Sequence, residues 1–276
     1  MQRALDQIHS WPVDHAAAAV RTSDGAVVTS GNTDRPFRLA SVTKVLTAVA
    51  VLVAVEEGTV GLDDPDIDDT VPVPQGATVR DLLCHASGLA PDRDAARAAP
   101  RRKRIYSNRG YELLAALVAD RSEMPFDVYL HEAVFEPLGM QDTRLDGSAA
   151  SAGVSTVDDL LRLTAALDPT SPSSVLATAT RAALSTVQYP ELDGVVPGYG
   201  SQHPNPWGLG PEIRGHKRPH WTGSRNSPAT YGHFGRAGTF LWIDPVAQVT
   251  TIVLTDHDFA EWAITAWPAL SDAVLA

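Results

Sequence analysis

The sequence predicts a mixed α/β (α+β) fold in which strands from both ends of the chain form one sheet around an inserted, mainly helical lobe. Short β-like runs flank a turn at residues 23–25, and a second hairpin pattern spans residues 238–256. From about residue 60 to 205 the apolar spacing is mostly helical. Strands at both termini with helices between them favour this arrangement.

The helices are predicted from their start and stop residues. A helix begins near Ser41 and ends before Gly58, a residue suited to position C′. Ser155, with Asp158 three residues later, resembles a capping box at a later helix start. Other starts are indicated by capping or first-turn residues: Thr78, Ser107 and Pro125.

The C-terminal part divides into an irregular and a regular segment. Residues 198–235 are rich in Gly, Pro, His and aromatic residues, which predicts loop around one short strand. The hairpin at 238–256 follows, and a terminal helix comes after it.

Length and composition are ordinary for a globular protein with a sizeable core. The chain has 276 residues, 44% of them hydrophobic and 20% charged. We expect one domain over residues 1–276, with one α/β lobe made of 1–60 plus 206–276 and a mainly helical lobe at 61–205.

Charge and residue usage limit the classes of partner. A net charge of −11 gives no attraction to phosphate backbones or anionic lipid, so no nucleic-acid or membrane partner is expected. The single cysteine, Cys84, excludes an internal disulfide and a Cys-rich zinc site. Pro219 breaks any helix between His216 and His220, so no metal pair is predicted there. Residues 1–14 lack the basic and apolar regions of a signal peptide, and we expect a cytoplasmic protein.

The pattern that points to chemistry is Ser41 followed three residues later by Lys44. The chain has only three lysines, and this one stands in a first helical turn, where the helix dipole disfavours a cation. Positions i and i+3 share a helix face, so the amine can reach the hydroxyl. Burial lowers a lysine pKa and lets the amine accept the serine proton, whereas arginine stays protonated. The structural alternative is an N-cap serine and a solvated lysine.

Two further stretches accompany this pair. Tyr106 and Asn108 lie in "YSN", on a loop before a helical pattern, where Asn108 is also a candidate N-cap. His233 and Gly235 lie in "HFG", just ahead of the first C-terminal strand. Ser-x-x-Lys, Tyr-x-Asn and His-x-Gly in this order resemble the three motifs of the serine β-lactamase and penicillin-binding protein superfamily. The most similar branch contains class C β-lactamases, D-alanyl-D-alanine carboxypeptidases and related esterases.

The resemblance implies a fold and catalytic roles. It extends through "FRLASVTK", "DLLCHASGLA", "YSNRGYELL", "GVSTVDDLLRL", "WGLG" and "GHFGRAGTFLWIDP". The implied fold is the β-lactamase/DD-peptidase-like one, an antiparallel sheet from both termini flanked by helices. Ser41 is then the nucleophile and Lys44 its proton acceptor. Tyr106 relays a proton to and from the leaving group and activates the deacylating water, unless it is merely a half-buried loop residue.

The same resemblance implies substrate-binding roles. Asn108 hydrogen-bonds Lys44 and the substrate amide, and His233 and Gly235 form the strand edge beside the substrate. The backbone N–H groups of Ser41 and Arg236 form the oxyanion hole. No metal or organic cofactor is implied.

The implied function is a serine hydrolase that acts through an acyl-enzyme on an ester, amide, D-peptide or β-lactam bond of a small molecule or short peptide. The alternatives are an acyltransferase or esterase on the same fold and a sensor module that binds without turnover. His233 stands where class C β-lactamases usually have lysine. Since histidine is only partly cationic at pH 7, weaker recognition of a substrate carboxylate is expected.

Three features stay open at this stage. The run of Arg101, Arg102, Lys103 and Arg104 is either a solvated charge run or a collar at the pocket mouth that attracts acidic substrates. Specificity is expected in loops 88–105 and 198–232. Three aromatic residues in the second loop region are either packing residues or walls of the acyl pocket: Trp207, Trp221 and Tyr231.

Overall fold

Runs of helices and runs of strands follow one another along the chain in the computed structural model, which describes residues 1–64, 67, 70–168 and 175–276. The helices are α1 (Gln2–Leu5), α2 (Thr43–Glu56), α3 (Val79–Leu83), α4 (Asn108–Ser122), α5 (Phe126–Leu130), α6 (Glu136–Leu138), α7 (Val157–Leu167), α8 (Thr178–Leu184) and α9 (Glu261–Val274). The strands are β1 (Ala16–Thr22), β2 (Val27–Gly31), β3 (Phe37–Arg38), β4 (Arg144–Leu145), β5 (Gly153–Ser155), β6 (Gly194–Val196), β7 (Gly200–Gln202), β8 (Glu212–Ile213), β9 (Tyr231–Gly235), β10 (Thr239–Asp244) and β11 (Val249–Thr255).

Strands from both termini form the main sheet, in the order β2-β1-β11-β10-β9-β8. Each neighbouring pair in this sheet is antiparallel, and β1 begins with Ala16 opposite Thr255 at the end of β11. The hairpins predicted around residues 23–25 and within 238–256 are both present. The predicted fold class is confirmed.

The sheet is covered on both faces, and its side chains alternate between two cores. On β1, Ala17 and Ala19 join the core around α2, whereas Ala18 and Val20 join the core packed against α9. This alternation follows from the period of two residues along a strand. Because both faces are covered, every residue of β9, β10 and β11 is buried.

Helix α2 lies inside the larger core, and all but its last two residues are buried. Its apolar residues surround the helix instead of forming one stripe, as in a helix with neighbours on every side. As predicted, it ends before Gly58, whose φ of +77° lets the N–H of Thr59 bond to the carbonyl of Ala54. Neither α2 nor any other described helix is long and apolar enough to cross a membrane. The burial of α2 also removes Lys44 from water.

One N-cap prediction is wrong by one residue, while the predicted caps at Thr78 and Ser107 are confirmed. Thr156, not Ser155, caps α7, because Ser155 is the last residue of β5 and pairs with β3. Two adjacent residues with similar capping ability are distinguished here only by this tertiary pairing. The alternative role of Asn108 as the N-cap of α4 is wrong, which leaves its side chain available for other partners.

His233 and Gly235 lie within β9, not ahead of the first C-terminal strand as predicted. Every residue of β9 is buried, so no alternation of polar and apolar residues marks it in the sequence. Residues 198–235 also contain β7 and β8, which is more strand than expected. Within residues 61–205, short strands β4 to β7 accompany the helices, and the proposed lobe boundaries remain a prediction.

Candidate active site

Ser41 lies in a short 3-10 turn, Ala40–Val42, immediately before α2. Ala40 has a φ of +45°, a left-handed conformation that is strained for a residue with a side chain. The turn is held against β9, where a Cβ on Gly235 would lie 2.2 Å from the carbonyl oxygen of Leu39. Only glycine permits this approach, so the end of β9 lies directly beside Ser41. Val42, not Ser41, is the N-cap of α2, so the structural alternative for the serine is wrong.

Lys44 is fully buried and contacts three oxygen atoms. Its Nζ lies 3.3 Å from Oγ of Ser41, 2.6 Å from Oδ1 of Asn108 and 2.9 Å from the carbonyl oxygen of Ala150. Burial lowers the pKa of Lys44 to about 7, although the charge of Asp92 opposes the shift. The alternative of a solvated lysine is therefore wrong.

The three contacts of Lys44 hold its amine beside the Ser41 hydroxyl. The oxygens of Asn108 and Ala150 accept hydrogen bonds from Nζ, which lies within hydrogen-bond distance of Oγ of Ser41. A neutral amine has two N–H groups and one lone pair, so it can donate to Asn108 and Ala150 and still have the lone pair for the Ser41 proton. The arrangement can therefore remove the serine proton.

Tyr106 lies over the same lysine, with Nζ of Lys44 4.7 Å from its ring centroid. Burial raises the pKa of Tyr106 above its ordinary value, while a hydrogen bond with Ser41 acts in the opposite direction. The phenol is thus protonated at neutral pH. Sequence reasoning missed His85, which holds this loop: its carbonyl accepts from the N–H of Ile105 and its Nδ1 from the N–H of Ser107, at 2.9 and 3.1 Å.

Asn108 is oriented by an acid that the sequence did not single out. Its Nδ2 donates to Oδ1 of Asp92 at 2.8 Å, which turns the amide oxygen toward Lys44. Asp92 lies in the loop 88–105, outside the three motifs, so only the tertiary structure connects it with the site. The predicted contact between Asn108 and Lys44 is present.

His233 is buried beside Tyr106, with the two ring centroids 5.9 Å apart. Its Nδ1 lies 2.7 Å from the carbonyl oxygen of Phe234 and donates to it, and its Nε2 has no hydrogen-bond partner among the described residues. Burial, followed by the charge of Lys44, lowers the pKa of His233 to about 4. The expectation of a partly cationic histidine at pH 7 is therefore wrong, because an isolated sequence position does not reveal its desolvation.

A cavity of about 200 Å³ opens at Ser41. Its walls include residues from the N-terminal turn, the Tyr106 loop, β9 and the loop before α9: Ser41, Tyr106, Pro197, Gly198, Trp207, Glu212, His233, Phe234, Arg236 and Phe259. Trp207 is thus a cavity wall. Trp221 packs in the core 5.8 Å from the Phe234 ring, and Tyr231 lines a different cavity. The side chain of Arg236 is 87% exposed.

A buried ionic cluster lies behind this cavity. Glu212 accepts hydrogen bonds from Lys217, from His220 at 3.1 Å and from the Trp221 indole at 2.8 Å. Burial alone raises the pKa of Glu212, but the neighbouring cations outweigh it and the pKa is lowered. The cluster is far in sequence from Ser41 and Lys44, and no residue spacing in the sequence predicted it. His220 has a structural role in this cluster, as a hydrogen-bond partner of Glu212. In the described part of the chain, no group of three or more His, Cys, Asp or Glu residues is placed to bind a metal.

The basic run does not behave as one solvated segment. Arg104 is 2% exposed and donates to the carbonyl oxygens of Cys84, Gln188 and Asn205. Arg101 pairs with the buried Asp81 at 3.0 Å. Arg102 and Lys103 are exposed. The interpretation of all four residues as a solvated run is wrong, because Arg101 and Arg104 form contacts with segments that are distant in sequence.

A family model described as Beta-lactamase matches residues 13–274. The chain belongs to the beta-lactamase family. A crystal structure of a beta-lactamase from Mycobacterium bovis is 51% identical to it and covers 99% of this chain and 98% of that one, with a TM-score of 0.93. Membership in this family supports hydrolase chemistry and confirms the resemblance inferred from the three motifs.

Other proteins similar to this chain differ in length and in described activity. Penicillin-binding protein 4* of Bacillus subtilis (strain 168) is 32% identical over an aligned length of 142, and the match covers 41% of this chain and 31% of that protein. EstCE1, described as a hydrolase with promiscuous acyltransferase activity, covers 100% of this chain and 97% of its own, with a TM-score of 0.82. At 18% identity, EstCE1 shows the fold alone.

Proposed function

We propose that this chain is a serine hydrolase that forms an acyl-enzyme on Ser41. The observation that carries the proposal is the buried Lys44 amine, whose Nζ lies 3.3 Å from Oγ of Ser41. An amine with a pKa of about 7 is neutral in a large fraction of molecules at neutral pH, and it accepts the proton as the serine attacks.

The remaining residues stabilise the oxyanion and move the proton to the leaving group and from the water. The N–H groups of Ser41 and Arg236 stabilise the oxyanion that forms when Oγ bonds to the substrate carbonyl carbon. The proton taken by Lys44 passes through Tyr106 to the leaving group as its bond breaks. In deacylation a water attacks the acyl carbon while its proton passes through Tyr106 to the neutral Lys44 amine, and Lys44 returns a proton to Oγ of Ser41 as the acyl bond to the serine breaks. Asn108 keeps Lys44 in place and binds the substrate amide.

The substrates proposed are small esters, amides or short D-peptides, with a β-lactam as a poorer one. His233 is neutral and presents an unprotonated Nε2, so this side chain offers no cation to a carboxylate on a β-lactam ring. An acyltransferase on the same site remains the second candidate, supported by the described activity of EstCE1, which shares the fold.

The test of function is a substrate panel run beside Ser41→Ala. It contains short-chain p-nitrophenyl esters, a chromogenic cephalosporin and a peptide ending in D-Ala-D-Ala, each with and without an added alcohol. Turnover that requires Ser41 supports a hydrolase, and an alcohol adduct as the main product supports the acyltransferase. One equivalent of product without further turnover supports the sensor module and contradicts the proposal.

We predict a higher kcat/KM for neutral esters than for the cephalosporin. His233→Lys is expected to shift this ratio toward the β-lactam, because an ammonium then faces the ring carboxylate. His233→Gln, which remains neutral, is the matched control and is expected to leave the preference for esters in place. If His233→Lys left the ratio unchanged, or moved it toward esters, the carboxylate argument would be wrong.

A pH profile tests the state of Lys44. The active form is the neutral amine, so kcat/KM for a neutral ester should rise with pH and reach half its plateau near the lysine pKa of about 7. His233, with a pKa of about 4, stays neutral across this range. A rising limb centred near 10, the ordinary lysine value, would contradict the role of Lys44 as the base.

A further inference from the structure

A second cavity, of about 460 Å³, adjoins the one at Ser41. The two share Tyr106 and Pro197 in their walls. A molecule bound at Ser41 can therefore extend past Tyr106 into the second cavity. Part of its lining is apolar, including Ile105 and Val195, and the latter is 48% exposed. Such surface beside a reacting serine can hold a carbon skeleton.

Two exposed cations, Arg97 and Lys103, also line this second cavity. In the described part of the chain, no ion pair involves Arg97 or Lys103, and Asp94, which is close to Arg97 in sequence, pairs with Arg109. The chain as a whole has a net charge of −11. A cavity with two unpaired cations is thus a local exception that favours an anion. We call it the basic groove.

The backbone that carries both cations is held in place. The N–H of Arg97 donates to the carbonyl oxygen of Gly88 at 2.8 Å. Next to Lys103, the N–H of Arg104 donates to the carbonyl oxygen of Asp193 at 2.8 Å, and the buried Arg104 guanidinium binds further carbonyl oxygens. A fixed backbone reduces the ordering cost of binding, so the basic groove is suited to a ligand without rearrangement.

We infer that the basic groove is a subsite for a leaving group whose apolar body ends in a carboxylate recognised by Arg97 and Lys103. This inference rests on the proposed function, because only a cleaved substrate has a leaving group. The groove lies beyond Tyr106, the residue that donates the proton to the departing atom. The leaving group therefore extends toward the groove. His233 does not line the groove, so this carboxylate is distinct from one on a β-lactam ring.

Two aryl acetates test the inference: 3-(4-acetoxyphenyl)propanoate and the same compound with its carboxylate converted to a methyl ester. They form the same acyl-enzyme, and two methylene groups insulate the phenol from the carboxylate, so their intrinsic reactivities are nearly equal. The measured quantity is the ratio of kcat/KM for the acid to kcat/KM for the methyl ester. The ratio should fall about fivefold in Arg97→Gln or Lys103→Gln, about tenfold or more in the double variant, and with added NaCl in the wild type.

Arg102→Gln is the matched control, since Arg102 is exposed in the same run but does not line the groove. It removes the same charge and should keep the wild-type ratio. If the ratio of the two kcat/KM values fell equally in Arg102→Gln, the cause would be a general attraction of anions, and the inference would be overturned. An unchanged ratio in the double variant would overturn it as well.

The outcomes separate this inference from the proposed function. If the methyl ester is hydrolysed through Ser41 while the ratio ignores Arg97 and Lys103, only the groove assignment fails. If neither ester shows Ser41-dependent turnover, the proposed function fails. In that case the groove assignment is tested by binding alone. Ligand-observed NMR measures the binding of 3-(4-acetoxyphenyl)propanoate to Ser41→Ala. Weaker binding after both cations are replaced by glutamine supports it, and unchanged binding overturns it.

Discussion

Lys44→Arg should lower the rate of acylation by about 10³-fold, the range expected for loss of a general base. Arginine keeps the positive charge, but its guanidinium does not release a proton near neutral pH and cannot accept the one on Ser41. The loss should appear in pre-steady-state release of p-nitrophenol from an ester, which reports acylation alone. It should persist up to pH 9, where a wild-type lysine with a pKa of about 7 is neutral.

A second variant separates chemistry from folding, because a guanidinium at this fully buried position is also costly to desolvate. Lys44→Met has similar length and no charge, so it should fold, and its thermal midpoint should confirm this. We expect the same loss of acylation in Lys44→Met. A folded Lys44→Met protein that acylates within a few-fold of wild type would show that another group removes the Ser41 proton.

Tyr106→Phe should lower kcat/KM by about 10²-fold or more, because the phenol donates the proton that lets the leaving group depart. The substitution preserves the ring, which packs 4.5 Å from His85 and 6.0 Å from Trp207 between centroids. The loss should be smaller for esters with acidic phenol leaving groups, which depart without protonation, and larger for alkyl esters. This dependence on the leaving group distinguishes a proton donor from a packing residue.

Tyr199→Phe is the matched control for Tyr106→Phe. Tyr199 is buried, and its hydroxyl has no hydrogen-bond partner among the described residues. Its removal should leave both activity and the free energy of unfolding near the wild-type values. Equal kinetic losses in the two variants, or a Tyr106→Phe loss that does not vary with the leaving group, would contradict the proposed proton transfer.

The pair Ser41 and Lys44 is predictable from sequence because its geometry is local. Three residues along a helix bring the two side chains together whatever the rest of the chain does. The hairpins and α2 are predictable for the same reason, since their turn residues and apolar patterns are contiguous. Tyr106, Asn108 and His233 required the resemblance to known motifs, because nothing local connects them with Ser41.

The charge states and supporting contacts were not predictable. Whether His233 is neutral depends on its burial in β9, and the partners of Asn108 and Arg104 come from segments distant in sequence. The basic run illustrates the limit most clearly. Its four residues have the same charge, yet Arg104 is enclosed by carbonyl oxygens while Lys103 is exposed. Only the tertiary structure distinguishes a structural arginine from a candidate ligand contact.

The most direct test of the central claim is the location of a covalent adduct. A fluorophosphonate should add once per chain, seen as a single mass increase of the intact protein. Peptide mapping should place it on the fragment between Arg38 and Lys44, which contains Ser41. Ser41→Ala should abolish labelling while changing the free energy of unfolding by no more than about 1 kcal/mol, the scale of one hydroxyl hydrogen bond. Labelling of Ser155 or Ser201, or ester turnover by a protein that takes up no probe, would contradict the account.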